Sequence, residues 1–210
     1  MYRVFVVSHT HWDRDWHMPF ENFRLRLIRM ISKLFQVMNS DAGFKYFTLD
    51  GQTIVLEDYL EVYPDKEEEI RRLVGEGKVV GGPWYVLPDE FLVSGEATVR
   101  NLMLGHKVAG RFGRVMKVGY IPDPFGHLAQ MPQILRGFDI DSAIFTRGMG
   151  EEGEKLGVEF NWLAPDGSRV LGIHLLTSYL NADGIHAYKT LDESLERVKV
   201  EIERLLPFVN

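Results

Sequence analysis

The 210-residue chain contains no cysteine, which removes disulfides, thiolate metal sites and cysteine nucleophiles together. No run approaches the roughly 20 apolar residues that span a bilayer. The opening Met1-Tyr2-Arg3-Val4-Phe5-Val6-Val7-Ser8 lacks the long apolar core of a signal peptide, and no Asn-x-Ser/Thr sequon occurs, so a cytoplasmic location is expected. Basic charge is also short. Lys and Arg number 24 against 30 Asp and Glu, a net charge of −6, which leaves no general basic face for nucleic acid or an anionic membrane. A GxSxG elbow, a Walker loop, low-complexity tracts and internal repeats are all missing.

What remains is ordinary soluble-globular composition, 45% hydrophobic and 26% charged, in a chain long enough to bury roughly 70% of its unfolded surface. Arg3 to Ser8 is rich in valine and aromatics and reads as a buried strand. After Pro19, Phe20, Phe23, Leu27, Ile31, Leu34 and Met38 recur at steps of three and four, an amphipathic helix. Phe44–Leu49 predicts a strand, and Thr53–Glu61 and Asp65–Leu73 predict helices. Val79-Val80-Gly81 predicts a short strand and Ser94–Arg111 a helix. Strands are expected at Lys117–Ile121 and Ser142–Thr146, with a helix from His127 to Arg136 between them. Glu159–Leu163 and Arg169–Leu176 flank Pro165-Asp166-Gly167, a hairpin signal. Leu191, Leu195, Val198, Ile202 and Leu205 form a last helical stripe. This alternation predicts an α/β fold with mainly parallel strands and flanking helices, read as one domain over 1–210. The end at Pro207-Phe208-Val209-Asn210 is expected of a cut through a larger domain.

The densest chemistry follows the first strand, at His9-Thr10-His11-Trp12-Asp13-Arg14-Asp15-Trp16-His17. Residues two apart in an extended segment share a side, so His9, His11 and Asp13 should converge past the carboxyl edge, where parallel sheets bind ligands. An imidazole beside a carboxylate suits zinc or a similar divalent ion. The alternative is a polar turn with backbone-satisfied histidines. Asp123, between Pro122 and Pro124, sits on a stiff backbone that suits a ligand or a nucleophile. Its alternative is capping a helix near His127. If both segments end at one edge of one sheet, His11, Asp13 and Asp123 give three corners of a metal site. His106, His174 and His186 are disfavoured as the fourth. Trp84 and Tyr85, with Trp12 and Trp16, offer flat faces for a sugar ring, although core cover is the commoner role. Gly148-Met149-Gly150-Glu151-Glu152-Gly153 matches GxGxxG, but its glutamates would repel phosphate and a turn before a strand is expected.

His9-Thr10-His11-Trp12-Asp13, Asp50-Gly51-Gln52, Gly82-Pro83-Trp84, Pro88-Asp89-Glu90 and Asp123-Pro124-Phe125-Gly126-His127 resemble the catalytic domain of glycoside hydrolase family 38, the retaining α-mannosidases, over residues 3 to about 180. The resemblance implies the N-terminal portion of a seven-stranded (β/α) barrel of the glycoside hydrolase/deacetylase type, incomplete in this chain. It implies zinc, with cobalt as another candidate ion, held by His11, Asp13 and Asp123, with Asp123 also the nucleophile. It places Trp16 beneath the bound mannose and Arg147 beside the nucleophile.

The family's fourth zinc ligand and its acid/base aspartate match nothing within the 210 residues, so the chain alone is expected to be inactive. Asp89 and Glu90 are expected to order their loop rather than act as the acid. The expected substrate is a mannose-containing oligosaccharide or glycoconjugate, with homo-oligomers open through a longer parent. Two other readings stay open, a metal-dependent carbohydrate deacetylase on a similar barrel and a non-catalytic carbohydrate-binding fragment.

Overall fold

The computed structural model describes residues 3–183 and 190–208. The chain divides into two compact units, one of residues 6–87 and 95–117, the other of residues 1–5, 88–94 and 118–210.

The first unit is built on a parallel three-stranded sheet in the order β1 (His9–Thr10), β2 (Phe47–Leu49), β3 (Val79–Val80). Helix α1 (Phe20–Ser40) covers it with Phe23, Leu27, Ile31, Leu34 and Met38 of the predicted stripe, all buried, and with Phe35 beside them, while Phe20 is only half-buried. Each of the buried side chains removes enough apolar surface to contribute roughly 1.5–3 kcal/mol. Helices α2 (Ile54–Leu60) and α3 (Glu67–Gly75) supply Val55, Leu56, Tyr59, Ile70 and Leu73 to the same core, and α4 (Gly95–Phe112) adds Val108 and Phe112. A 3-10 turn at Pro64–Lys66 precedes α3.

The second unit carries a four-stranded sheet in the order β4 (Gly119–Tyr120), β5 (Ser142–Phe145), β7 (Arg169–His174), β6 (Glu159–Leu163). β4, β5 and β7 run parallel, and β6 pairs antiparallel with β7 as the Pro165-Asp166-Gly167 turn predicted. Helix α5 (Met131–Arg136) lies between β4 and β5, and a short α6 (Glu152–Leu156) precedes β6. Helix α7 (Leu191–Leu205) opens on a capping box. Thr190 accepts from the Glu193 amide, and Glu193 accepts from the Thr190 amide.

The expected α/β class with mainly parallel strands and flanking helices is present, and several details differ. Residues 3–7 are not a buried strand. Val4, Phe5, Val6 and Val7 are exposed, Phe5 by 79%. Only the end of the segment joins the ladder, with the Thr48 amide donating to the Ser8 carbonyl. The apolar residues expected to face both sides of a sheet have no such cover here. Two sheets, rather than one, are formed among the described residues. The α7 stripe buries none of its predicted residues, and Leu191 and Leu195 stay exposed. The GxGxxG segment ends in helix α6 before the strand arrives. No helix among the described residues is long and apolar enough to cross a membrane.

Candidate active site

The chemistry-bearing residues sit just beyond the carboxyl ends of parallel strands, one group in each unit. In the first unit His11 and Asp13 follow β1, and Asp50 and Gln52 follow β2. Asp50 is buried and takes a left-handed backbone at φ 49, which aspartate tolerates better than most residues. The turn aims its carboxylate back at the β1 loop. Oδ2 accepts from the Trp12 amide at 2.9 Å and from Gln52 Nε2 at 3.0 Å, and the same Gln52 nitrogen donates to the Trp12 carbonyl at 2.6 Å. The polypeptide between His11 and Asp13 is thereby clamped on both sides of Trp12.

That clamp sets the imidazole. His11 Nδ1 stands 3.4 Å from Asp50 Oδ2, and Nε2 stands 3.7 Å from Asp13 Oδ1. Two donors sharing a tetrahedral zinc at bond lengths near 2.0–2.1 Å would lie about 3.3 Å apart, so a small closure of this pair is enough. Among the described residues Asp50 Oδ1 is a buried oxygen with no hydrogen-bond partner, which adds negative potential behind the imidazole. Ligand chemistry, spacing and the carboxylate behind the histidine therefore fit a divalent cation. Within neither unit do three His, Asp or Glu of the described residues gather as a metal cluster; Asp123 belongs to the second unit.

Beside this pair, Arg14 forks onto Asp58 with two bonds of 2.8 Å and lies over the Phe20 ring at 4.7 Å. The bond to Asp58 holds its guanidinium pKa above the usual arginine value. Tyr85 is pushed up to about 12, first by burial and then by its hydrogen bond to Glu57. Trp84 is fully buried, so it is core cover and not a sugar platform. Trp16 is 75% exposed and meets His17 edge-on, leaving it the accessible aromatic face of this loop.

In the second unit Asp123 follows β4 and Arg147 follows β5. Arg147 Nη2 is 2.8 Å from Asp123 Oδ1, and Nε donates to the Asp123 carbonyl at 3.0 Å. The guanidinium also lies over the Phe125 ring, 4.2 Å from its centroid. One arginine therefore holds backbone and carboxylate of the same aspartate. The pair stays open, at 33% exposure for the Asp123 side chain and 44% for Arg147. Asp123 does not cap the following helix, which starts only at Met131 with Gln130 at its cap.

A turn closes between Leu128 and Met131, the Met131 amide donating to the Leu128 carbonyl at 2.9 Å, and the segment before it is held from the Pro88–Ser94 loop. Glu90 is fully buried, its carboxyl 2.8 Å from His127 Nδ1 and accepting from the Leu128 amide at 2.7 Å. That is the loop-ordering role expected of it, and its burial removes it as a solvent-facing acid. Sequence reasoning gave no role to Asp50, Gln52 or His127; polar residues just after strand ends were the available signal. His106 contacts the Leu102 carbonyl and His174 the Thr146 carbonyl, as backbone-satisfied histidines do. His186 lies outside the described residues.

The sequence profile described as the glycosyl hydrolases family 38 N-terminal domain matches residues 1–205. The chain is 44% identical over 191 residues to a putative mannosylglycerate hydrolase of Halalkalibacterium halodurans, covering 86% of this chain and 21% of that protein. It is 31% identical over 173 residues to alpha-mannosidase G of Dictyostelium discoideum, covering 80% and 16%. Among solved structures, an alpha-mannosidase from Enterococcus faecalis V583 matches with a TM-score of 0.90 at 35% identity, over 97% of this chain and 23% of that one. The chain thus spans about a fifth of the length of the curated relatives it matches.

Proposed function

The chain belongs to glycosyl hydrolase family 38, and on that premise we propose that it forms part of a zinc-dependent retaining α-mannosidase. Asp123 is the nucleophile. The observation that carries this reading is the Asp123–Arg147 pair. A carboxylate between two prolines, fixed at Oδ1 and at its own carbonyl by one guanidinium, is aimed and accessible. Those are the requirements for attack on an anomeric carbon.

In the proposed double displacement a carboxylate oxygen of Asp123 bonds to the anomeric carbon as the bond to the aglycone oxygen breaks. That oxygen takes a proton from an acid not assigned among these residues, and water then hydrolyses the sugar ester. Arg147 keeps the Asp123 carboxylate aimed between turnovers. Trp16 offers its exposed face to the apolar side of the pyranose. His11 and Asp13, together with Asp123, would hold the metal. Bound zinc would supply Lewis-acid contact to sugar hydroxyls, orienting the ring and favouring oxocarbenium-like distortion. The finer fold reading, a seven-stranded (β/α) barrel completed by further chain, belongs to the same proposal. So does the substrate, a terminal α-mannoside. The similarity to a putative mannosylglycerate hydrolase makes a small carboxylate-bearing aglycone the first natural candidate.

The test is hydrolysis of an aryl α-mannoside and of mannosylglycerate by the full-length gene product, before and after chelation. Activity that stops on chelation and returns with zinc is expected. Undiminished activity after complete metal removal, or none on either mannoside with zinc present, would sink the reading.

A further inference from the structure

Behind the Asp123–Arg147 pair lies a chain of contacts confined to the second unit. Glu90 reaches His127 Nδ1 at 2.8 Å, and His127 Nε2 reaches the Arg147 carbonyl at 2.9 Å. Arg147 in turn grips Asp123 at the two atoms already described. A carbonyl can only accept, so Nε2 carries a proton toward Arg147, and Nδ1 shares a proton with the Glu90 carboxyl. The ring cannot turn away. It lies 4.4 Å from the Phe145 centroid and 5.3 Å from that of Trp162. Gly148, at φ +98, brings its backbone against Nε2, where an added Cβ would stand 2.9 Å away. Glu90 is locked as well, since its second oxygen is taken by the Leu128 amide.

This is more polar order than a loop needs. A buried carboxylate is costly unless fully bonded, and here its bonds lead to the main chain of a residue that grips Asp123. We infer that Glu90 and His127 are positioning residues for the Asp123 nucleophile, acting through the Arg147 main chain to fix the direction of its guanidinium. The inference rests on the nucleophile reading above. It gives the Pro-Asp-Glu loop a function distinct from acid catalysis and from binding the metal.

The experiment uses the full-length gene product and a fluorinated α-mannosyl fluoride, which slows release of the sugar and leaves it on the nucleophile. Peptide mass identifies the labelled residue in the wild type, and the labelling rate at saturating reagent reports the attack. Glu90→Ala should label about 10–100-fold more slowly, the range for displaced supporting residues, with reagent affinity within about threefold. Glu90→Gln keeps an acceptor for Leu128 and a polar partner for His127 Nδ1, and should recover to within about threefold of wild type. His127→Leu should resemble Glu90→Ala. Wild-type label on any residue but Asp123 overturns the nucleophile reading itself. Label on Asp123 at one common rate in all variants overturns only the positioning role. If Glu90→Ala does not fold, Glu90→Gln and His127→Leu decide. Equal rates in His127→Leu and wild type overturn the inference, and a slow His127→Leu beside a near-normal Glu90→Gln supports it.

Discussion

His11 Nδ1 lies 3.4 Å from the buried Asp50 carboxylate, so the ring nitrogen facing Asp13 is Nε2. A carboxylate behind a metal-binding histidine fixes its tautomer and raises its basicity, and losing one typically weakens metal binding 10–100-fold. Asn fits the left-handed backbone at residue 50 but removes the charge. Asp50→Asn should therefore weaken zinc binding by about one to two orders of magnitude, measured by competition with a chromogenic chelator. Unchanged zinc affinity would show that Asp50 serves only the Trp12 turn.

The arrival of α4 against the 83–85 segment depends on Gly105. A Cβ there would lie 2.1 Å from the Pro83 carbonyl oxygen and 2.4 Å from the Trp84 carbonyl carbon. Backbone cannot step aside as a flexible side chain can. Gly105→Ala should cost about 1–3 kcal/mol or more, lowering Tm by several degrees, and calorimetry checks it. A neutral or stabilising outcome would mean that helix and loop separate freely.

Tyr85 gives a pH signature. Its hydroxyl is pushed up to about 12 by burial and by its bond to Glu57, whereas an unfolded tyrosine titrates near about 10. The folded state therefore holds this proton more tightly. The associated stability is fully present below about pH 10 and is lost as pH rises toward about 12. Denaturant midpoints of the wild type should fall across that window, and Tyr85→Phe should flatten the fall. Identical pH curves would contradict the assignment.

Legibility in the sequence followed periodicity and backbone chemistry. The α1 stripe, the β6–β7 hairpin and the mainly parallel strands rest on spacing, turn residues and strand–helix alternation, and the structure forms them. Residues 3–7 failed because an apolar run predicts burial only where neighbouring strands exist to cover it. Helix α5 begins later than expected because Glu90, distant in sequence, captures the Leu128 amide ahead of the turn at Ala129 and Gln130. The Asp123–Arg147 grip was anticipated from resemblance. The Glu90–His127 link and the Asp50 clamp span 37 and 38 residues, separations at which no local pattern shows pairing. Trp84 was ambiguous between core and platform, because composition alone does not say which face of a loop is covered.

The central claim is that Asp123 takes the sugar and water then replaces it. Proton NMR of the first-formed product from an aryl α-mannoside and the full-length gene product tests this most directly, because two displacements at one carbon restore its configuration. The account predicts α-mannose appearing first, with the β anomer growing only by mutarotation. Initial release of β-mannose would mean a single displacement by water, and would contradict the role given to Asp123.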